Sequence, residues 1–203
     1  MSLKGWRRYI GYGAMLVLIA LAPLVLAETP DAEQLGHRVM AAYTAMEEGR
    51  NNESERIFMG VLQEDPSHMQ ARFGLGTLYI KMERYDRAIR LLESLYKEFP
   101  QEFVVLNNLG WLYATATDHK VRDGERAVQL AQEALLMQPN AFHIWSTLAE
   151  GYYVLGNYER SQRAAREAVR LSQSARVPEA EQERYRQQYL RSRRAAESVS
   201  VLD

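Results

Sequence analysis

The stretch Leu75-Gly76-Thr77-Leu78-Tyr79 decides the fold, because its pattern of a small residue followed three positions later by a tyrosine recurs further along the chain. The glycine and the tyrosine reappear 34 residues later as Gly110 and Tyr113. A small residue and a tyrosine occur again 39 residues beyond these, as Ala149 and Tyr152. A period of this length is typical of proteins built from stacked structural repeats.

Three prolines keep the same register along the chain. Pro66 and Pro100 are 34 residues apart, and Pro139 follows after 39. A single five-residue insertion within the segment 117–124 explains the longer step in both series. Between the prolines the apolar residues recur at helical spacing, and no sustained run alternates with a period of two. Each unit is therefore predicted to be a pair of helices, with no sheet.

The repeated positions resemble the tetratricopeptide repeat (TPR) family. The second unit matches that pattern best, through Leu75, Gly76, Tyr79, Tyr85, Ala88, Leu92, Leu95 and Pro100. The resemblance implies an all-α fold, a right-handed α-solenoid of about four TPR helix-turn-helix units plus a C-terminal capping helix. The units are predicted at residues 35–68, 69–102, 103–141 and 142–173, after an N-terminal lead-in at 28–34.

Two segments depart from the repeat pattern. After the fourth unit, Pro178 begins a charged helix predicted over residues 178–197, which suits the cap that the open end of a stacked array needs. The alternative for this helix is a basic tail that docks on an acidic surface through Arg191, Arg193 and Arg194. The inserted segment 117–124 is read as a solvated loop, with an extra charged contact as its alternative.

The first 27 residues predict where the protein is located. Lys4, Arg7 and Arg8 precede an apolar run over residues 14–27, which is the pattern of a secretory signal peptide cleaved after Ala27. With no cysteine in the chain, export predicts a periplasmic or secreted protein of a bacterial envelope. The alternative is an uncleaved inner-membrane anchor, and membrane contact is expected only in that case.

The resemblance also implies that the first helix of each unit lines a concave groove. Aromatic side chains offer rigid contact area there, and amides can bond to an extended backbone. The predicted peptide-binding residues are Tyr43, Phe73, Thr77, Lys81, Asn107, Asn108, Trp111, Ser146, Glu150 and Tyr153. For Tyr43 and Phe73 the alternative is packing between neighbouring helices.

Other classes of function are disfavoured by what the chain contains. Its four histidines are scattered without a second ligand at metal-binding spacing, so neither a metal, a cofactor nor a catalytic group is predicted. A formal net charge of -1 argues against a nucleic-acid partner. The sequence predicts a non-enzymatic, exported TPR scaffold that binds a protein or peptide segment, as an envelope adaptor or assembly factor. A self-assembling structural protein and an accessory subunit of an envelope enzyme complex are the alternatives.

Overall fold

The computed structural model describes residues 30–200, and the predicted signal peptide at 1–27 lies outside them. Within that range the secondary structure is helical, with no strand. The helices are α1 (Pro30–Glu47), α2 (Asn51–Glu64), α3 (Met69–Lys81), α4 (Tyr85–Glu98), α5 (Phe103–Thr115), α6 (Gly124–Met137), α7 (Phe142–Val154), α8 (Tyr158–Ser174) and α9 (Glu179–Ser200).

The predicted fold class is confirmed: the described residues form TPR-type helix pairs followed by a C-terminal helix. Each predicted repeat contains one pair, from α1 and α2 to α7 and α8. Two boundaries differ from the prediction. Helix α1 begins at Pro30, so most of the segment 28–34 is helix rather than an irregular lead-in, and α9 continues past residue 197 to Ser200.

The chain divides into two compact units at Glu98 and Phe99. The N-terminal unit contains α1 to α4, and the C-terminal unit contains α5 to α9. In the N-terminal unit every residue of α3 from Ala71 to Ile80 is buried. Here Gly74 permits a close approach, because a Cβ atom at this position would lie 2.4 Å from the Phe58 ring.

Serine replaces alanine at one repeat position, and the structure shows how its hydroxyl is satisfied. The Ser54 hydroxyl donates to the Ala42 carbonyl at 2.8 Å, and the Ser161 hydroxyl donates to the Ala149 carbonyl at the same distance. Both serines are fully buried. Since buried polar groups need partners, this bond within each helix pair lets serine occupy a core position.

Candidate binding surfaces

In the C-terminal unit, the first helices of the repeats are joined by buried polar contacts. The Thr147 hydroxyl on α7 donates to Asn107 Oδ1 on α5 at 2.8 Å. Helix α9 makes the corresponding contact with α7, because the Ser146 hydroxyl donates to Gln188 Oε1 at 2.9 Å. The Gln188 amide donates back to the Ser146 carbonyl at 2.8 Å. Helix α9 therefore docks on the last repeat through the paired amide of Gln188.

Helix α9 also covers the face of α7 that the sequence assigns to ligand binding. Arg191 donates to Glu150 at 2.6 Å, and Gln188 Nε2 donates to the second oxygen of the same carboxylate at 2.9 Å. The Arg191 guanidinium lies 4.1 Å from the centre of the Tyr153 ring. These contacts favour the capping role of α9 over a free basic tail, because Arg191 is bound within its own unit.

Five of the ten predicted groove residues are buried, and the prediction that they contact a ligand is corrected to a packing role. They are Tyr43, Phe73, Thr77, Asn107 and Ser146, each at most 6% exposed. The Tyr43 ring meets Phe58 edge to face, with centroids 5.2 Å apart, and its hydroxyl donates to the Gln70 carbonyl. Burial raises the pKa of Tyr43 above its ordinary value. A side chain packed in this way has almost no surface left for a partner.

The other five predicted residues, Lys81, Asn108, Trp111, Glu150 and Tyr153, are half-buried. Lys81 donates from Nζ to the Met46 carbonyl, and Glu150 is held by α9, so these two already serve the fold. Asn108 and Trp111 stand three residues apart on α5, which places them on one face of that helix. We call these two residues the α5 strip.

His143 lies beside the aromatic contact between α7 and α9. The Phe142 ring is 5.5 Å from the His143 ring and 5.4 Å from the Tyr185 ring, centre to centre. Burial lowers the pKa of His143 to about 4, because a charged imidazole is poorly solvated there.

This lowered pKa predicts a stability that depends on pH. The unfolded chain binds a proton at His143 near pH 6.5, whereas the folded chain binds it only near pH 4, so acid favours unfolding. As the pH falls from 6.5 to 4, the wild type should lose about 2 kcal/mol of unfolding free energy relative to His143→Gln. This loss is smaller than the full pKa shift would give, because His143 is only half-buried. Urea unfolding of both proteins at pH 7.5 and pH 4 measures this difference. A constant difference would show that His143 is not the group responsible.

A shallow cleft, which sequence reasoning missed, lies between α3 and α4 of the N-terminal unit, with a volume of about 720 Å³. Leu75 and Tyr79 of α3 line it while being at most 7% exposed, so they form its floor. Leu91 of α4 adds a half-buried apolar wall. We call this feature the Arg72 cleft after one of the residues that line it.

One substitution in the repeat pattern could have predicted this cleft from the sequence. Arg72 follows Pro66 by six residues, as Trp145 follows Pro139 in the fourth repeat. In that repeat the indole Nε1 donates to the carbonyl of the preceding proline at 2.8 Å. Arg72 turns instead to Glu98, with contacts of 2.5 and 2.6 Å. An arginine in place of the large aromatic residue therefore leaves space next to Pro66.

Residues 30–200 contain neither a metal-ligand cluster nor a membrane-spanning helix. That part of the chain holds no group of three or more histidine, aspartate or glutamate side chains placed to bind a metal ion. None of its helices has the length and the apolar character needed to cross a membrane.

A comparison with family models decides the classification of the repeats. Residues 45–113, which include the second helix pair, match the tetratricopeptide repeat family. The chain contains tetratricopeptide repeats. No curated protein sequence matches this TPR protein at a significant level.

Solved structures with the same fold include a thermophilic TPR protein and MamA. TTC0263, a thermophilic TPR protein of Thermus thermophilus, has a TM-score of 0.61 and 19% identity over 68% of this chain and 75% of its own. A MamA RS-1 double mutant has a TM-score of 0.56 and 14% identity, over 81% of this chain and 97% of its own. At such low identities the likeness shows the fold alone.

One similar structure belongs to an enzyme. The K341M mutant of the Thermobaculum terrenum O-GlcNAc transferase has a TM-score of 0.59 and 23% identity over 72% of this chain. The match spans only 27% of that transferase. A TPR fold is generally a non-catalytic scaffold, and this likeness concerns only the fold.

Proposed function

We propose that this TPR protein is a non-enzymatic, exported scaffold that holds an extended segment of a partner protein, as an adaptor or assembly factor of a bacterial envelope. TPR proteins typically bind other proteins, which supports the general class. The α5 strip carries the proposal for the site, because Asn108 and Trp111 combine accessible surface with the chemistry that peptide recognition needs.

The two residues of the strip have complementary roles in this proposal. An asparagine side chain such as that of Asn108 carries an amide with donors and an acceptor, a chemistry that suits the alternating groups of a peptide backbone. Trp111 supplies a large, rigid contact area at a small entropic cost. Their neighbour Asn107 is buried and bonded to Thr147, so its side chain serves the packing of α5 against α7.

The proposal is tested by affinity capture from native envelope extract. The baits are the wild-type chain and an Asn108→Ala, Trp111→Ala variant, each confirmed to be folded by circular dichroism. Leu136→Ala is the matched control, because Leu136 is an apolar side chain of α6 that is 87% exposed and lies outside the strip. Asn107 is left intact, since its loss would remove the buried hydrogen bond from Thr147 that joins α5 to α7.

We expect a partner that the wild type and Leu136→Ala capture and that the double variant loses. A partner that all three baits retain would contradict the role of the α5 strip. Recovery of the protein itself as the sole captured species would favour the self-assembling alternative. The mass of the recovered bait tests export in the same experiment, with an N-terminus at Glu28 expected and a retained 1–27 segment indicating an anchor.

A further inference from the structure

We propose that the Arg72 cleft binds an acidic peptide segment of a partner protein that also carries an aliphatic or aromatic side chain. The cleft lies wholly within the N-terminal unit, whereas the α5 strip belongs to the C-terminal unit. This inference therefore goes beyond the function proposed above, and either of the two can fail without the other.

The charges around the cleft favour an anionic ligand. Three arginines line it, Arg72, Arg87 and Arg90, against one carboxylate, that of Glu98. The Glu98 carboxylate is already engaged by Arg72, which lowers its pKa below the ordinary value. Two positive charges are therefore in excess at the cleft.

The two remaining arginines are available to an incoming carboxylate. Arg87 lies 3.6 Å from Glu55, but Arg84 already binds that carboxylate at 2.7 Å. Arg90 is exposed and has neither a hydrogen bond nor an ion pair within residues 30–200. A guanidinium presents several donors in a fixed plane and binds carboxylates in pairs of hydrogen bonds.

The floor of the cleft distinguishes a peptide from a small anion. Leu91 gives a half-buried apolar surface next to the arginines, beside the nearly buried Leu75 and Tyr79 of the floor, and a free phosphate could not use this surface. The cleft is shallow, with a volume of about 720 Å³, so it suits a side chain laid on its surface. The ligand that uses both features has a carboxylate for Arg87 and Arg90 and an apolar side chain for the floor.

Binding is tested by NMR titration of the isotope-labelled full-length chain with the synthetic peptide acetyl-Glu-Asp-Leu-Glu-Phe-Asp-amide. A charge-matched peptide with glycine in place of Leu and Phe tests the apolar floor, and inorganic phosphate tests a simple anion site. We expect chemical-shift changes only for backbone amides of α3, α4 and the turn at Pro66. Only the first peptide should saturate these changes. The affinity should fall as NaCl is raised, because exposed charges are screened.

Three variants locate the site. Arg87→Glu, Arg90→Glu reverses the two available charges and should weaken binding at least about tenfold. Arg72→Trp introduces the aromatic residue of the fourth repeat and should close the cleft, so that binding is lost while the melting curve is kept. Arg163→Glu is the control, because Arg163 is an exposed arginine of α8 in the other unit.

Each outcome decides for or against the cleft. Equal binding by the charge-reversed variant and the wild type would overturn the proposal, as would shifts that map outside α3 and α4. If phosphate shifts the same amide signals as strongly as the peptide does, the proposal of a peptide site is wrong and the cleft is a simple anion site. A Trp111→Ala chain that still binds the peptide would show that this surface is independent of the α5 strip.

Discussion

Gly110→Leu should unfold or strongly destabilise the C-terminal unit. A Cβ atom at Gly110 would lie 3.2 Å from Thr147 Cγ2 and 3.3 Å from the Ala127 carbonyl oxygen. The second neighbour is backbone and cannot turn away, so the larger leucine side chain would force α5 from α6 and α7. Overpacking by a few methylenes costs about 1–3 kcal/mol, and leucine adds four carbon atoms at this site, so we expect a loss of about 3–4 kcal/mol.

A second glycine gives the matched control for this substitution. Gly36 lies within α1, and no described atom would come within 4 Å of a Cβ at that position. Gly36→Leu should therefore stabilise α1 by about 0.5–1 kcal/mol, since glycine is a poor helix former. Urea unfolding followed by tryptophan fluorescence reports on the C-terminal unit through Trp111 and Trp145, and circular dichroism recorded in the same titration also reports on α1. An unchanged midpoint for Gly110→Leu would contradict the assigned repeat register.

Tyr185→Ala should release α9 from the last repeat. Tyr185 is 2% exposed, packs edge to face on Phe142, and donates from its hydroxyl to Glu181 at 3.3 Å. Replacing a large buried aromatic residue by alanine costs about 3–5 kcal/mol. Burial also raises the pKa of Glu181, so loss of the tyrosine hydroxyl removes a donor from a carboxyl group that is already poorly solvated.

Tyr189→Ala is the control on the same helix. Tyr189 is half-buried, its hydroxyl bonds to Gln162 and Arg166 of α8, and its ring lies 5.8 Å from the Arg166 guanidinium, so its loss should cost about 1–2 kcal/mol. Trypsin gives a second readout, because a released α9 exposes its arginines to cleavage. If Tyr185→Ala and Tyr189→Ala have the same melting temperature and the same rate of trypsin cleavage, α9 is not anchored through Tyr185.

The α5 strip shows how far the sequence could predict a binding surface. Helical periodicity placed Asn107, Asn108 and Trp111 on the first helix of the third unit, and the structure has all three there. The pattern could not separate Asn107 from Asn108, because burial depends on which neighbouring helix approaches that side. Thr147 bonds to Asn107 from a position 40 residues away.

The fourth repeat shows the same limit in a stronger form. Ser146 and Glu150 occupy positions that the repeat pattern assigns to an open groove, and this prediction assumed that no helix covers them. The structure places Gln188 and Arg191 of α9 on those residues. The charge of Arg191 did not predict this contact, because the sequence does not distinguish an arginine that binds within its own chain from one that binds a partner protein.

The sequence by itself determined the repeat period, the helix pairs and the small residues at which helices meet. These features are local, since spacing along a helix and the size of a side chain are fixed by a few neighbouring residues. The tertiary structure alone decided which polar side chains are paired inside the fold and which remain accessible. That choice depends on contacts between residues distant in the chain, as when Arg72 bonds to Glu98, 26 residues away, whereas Trp145 at the corresponding position bonds to Pro139.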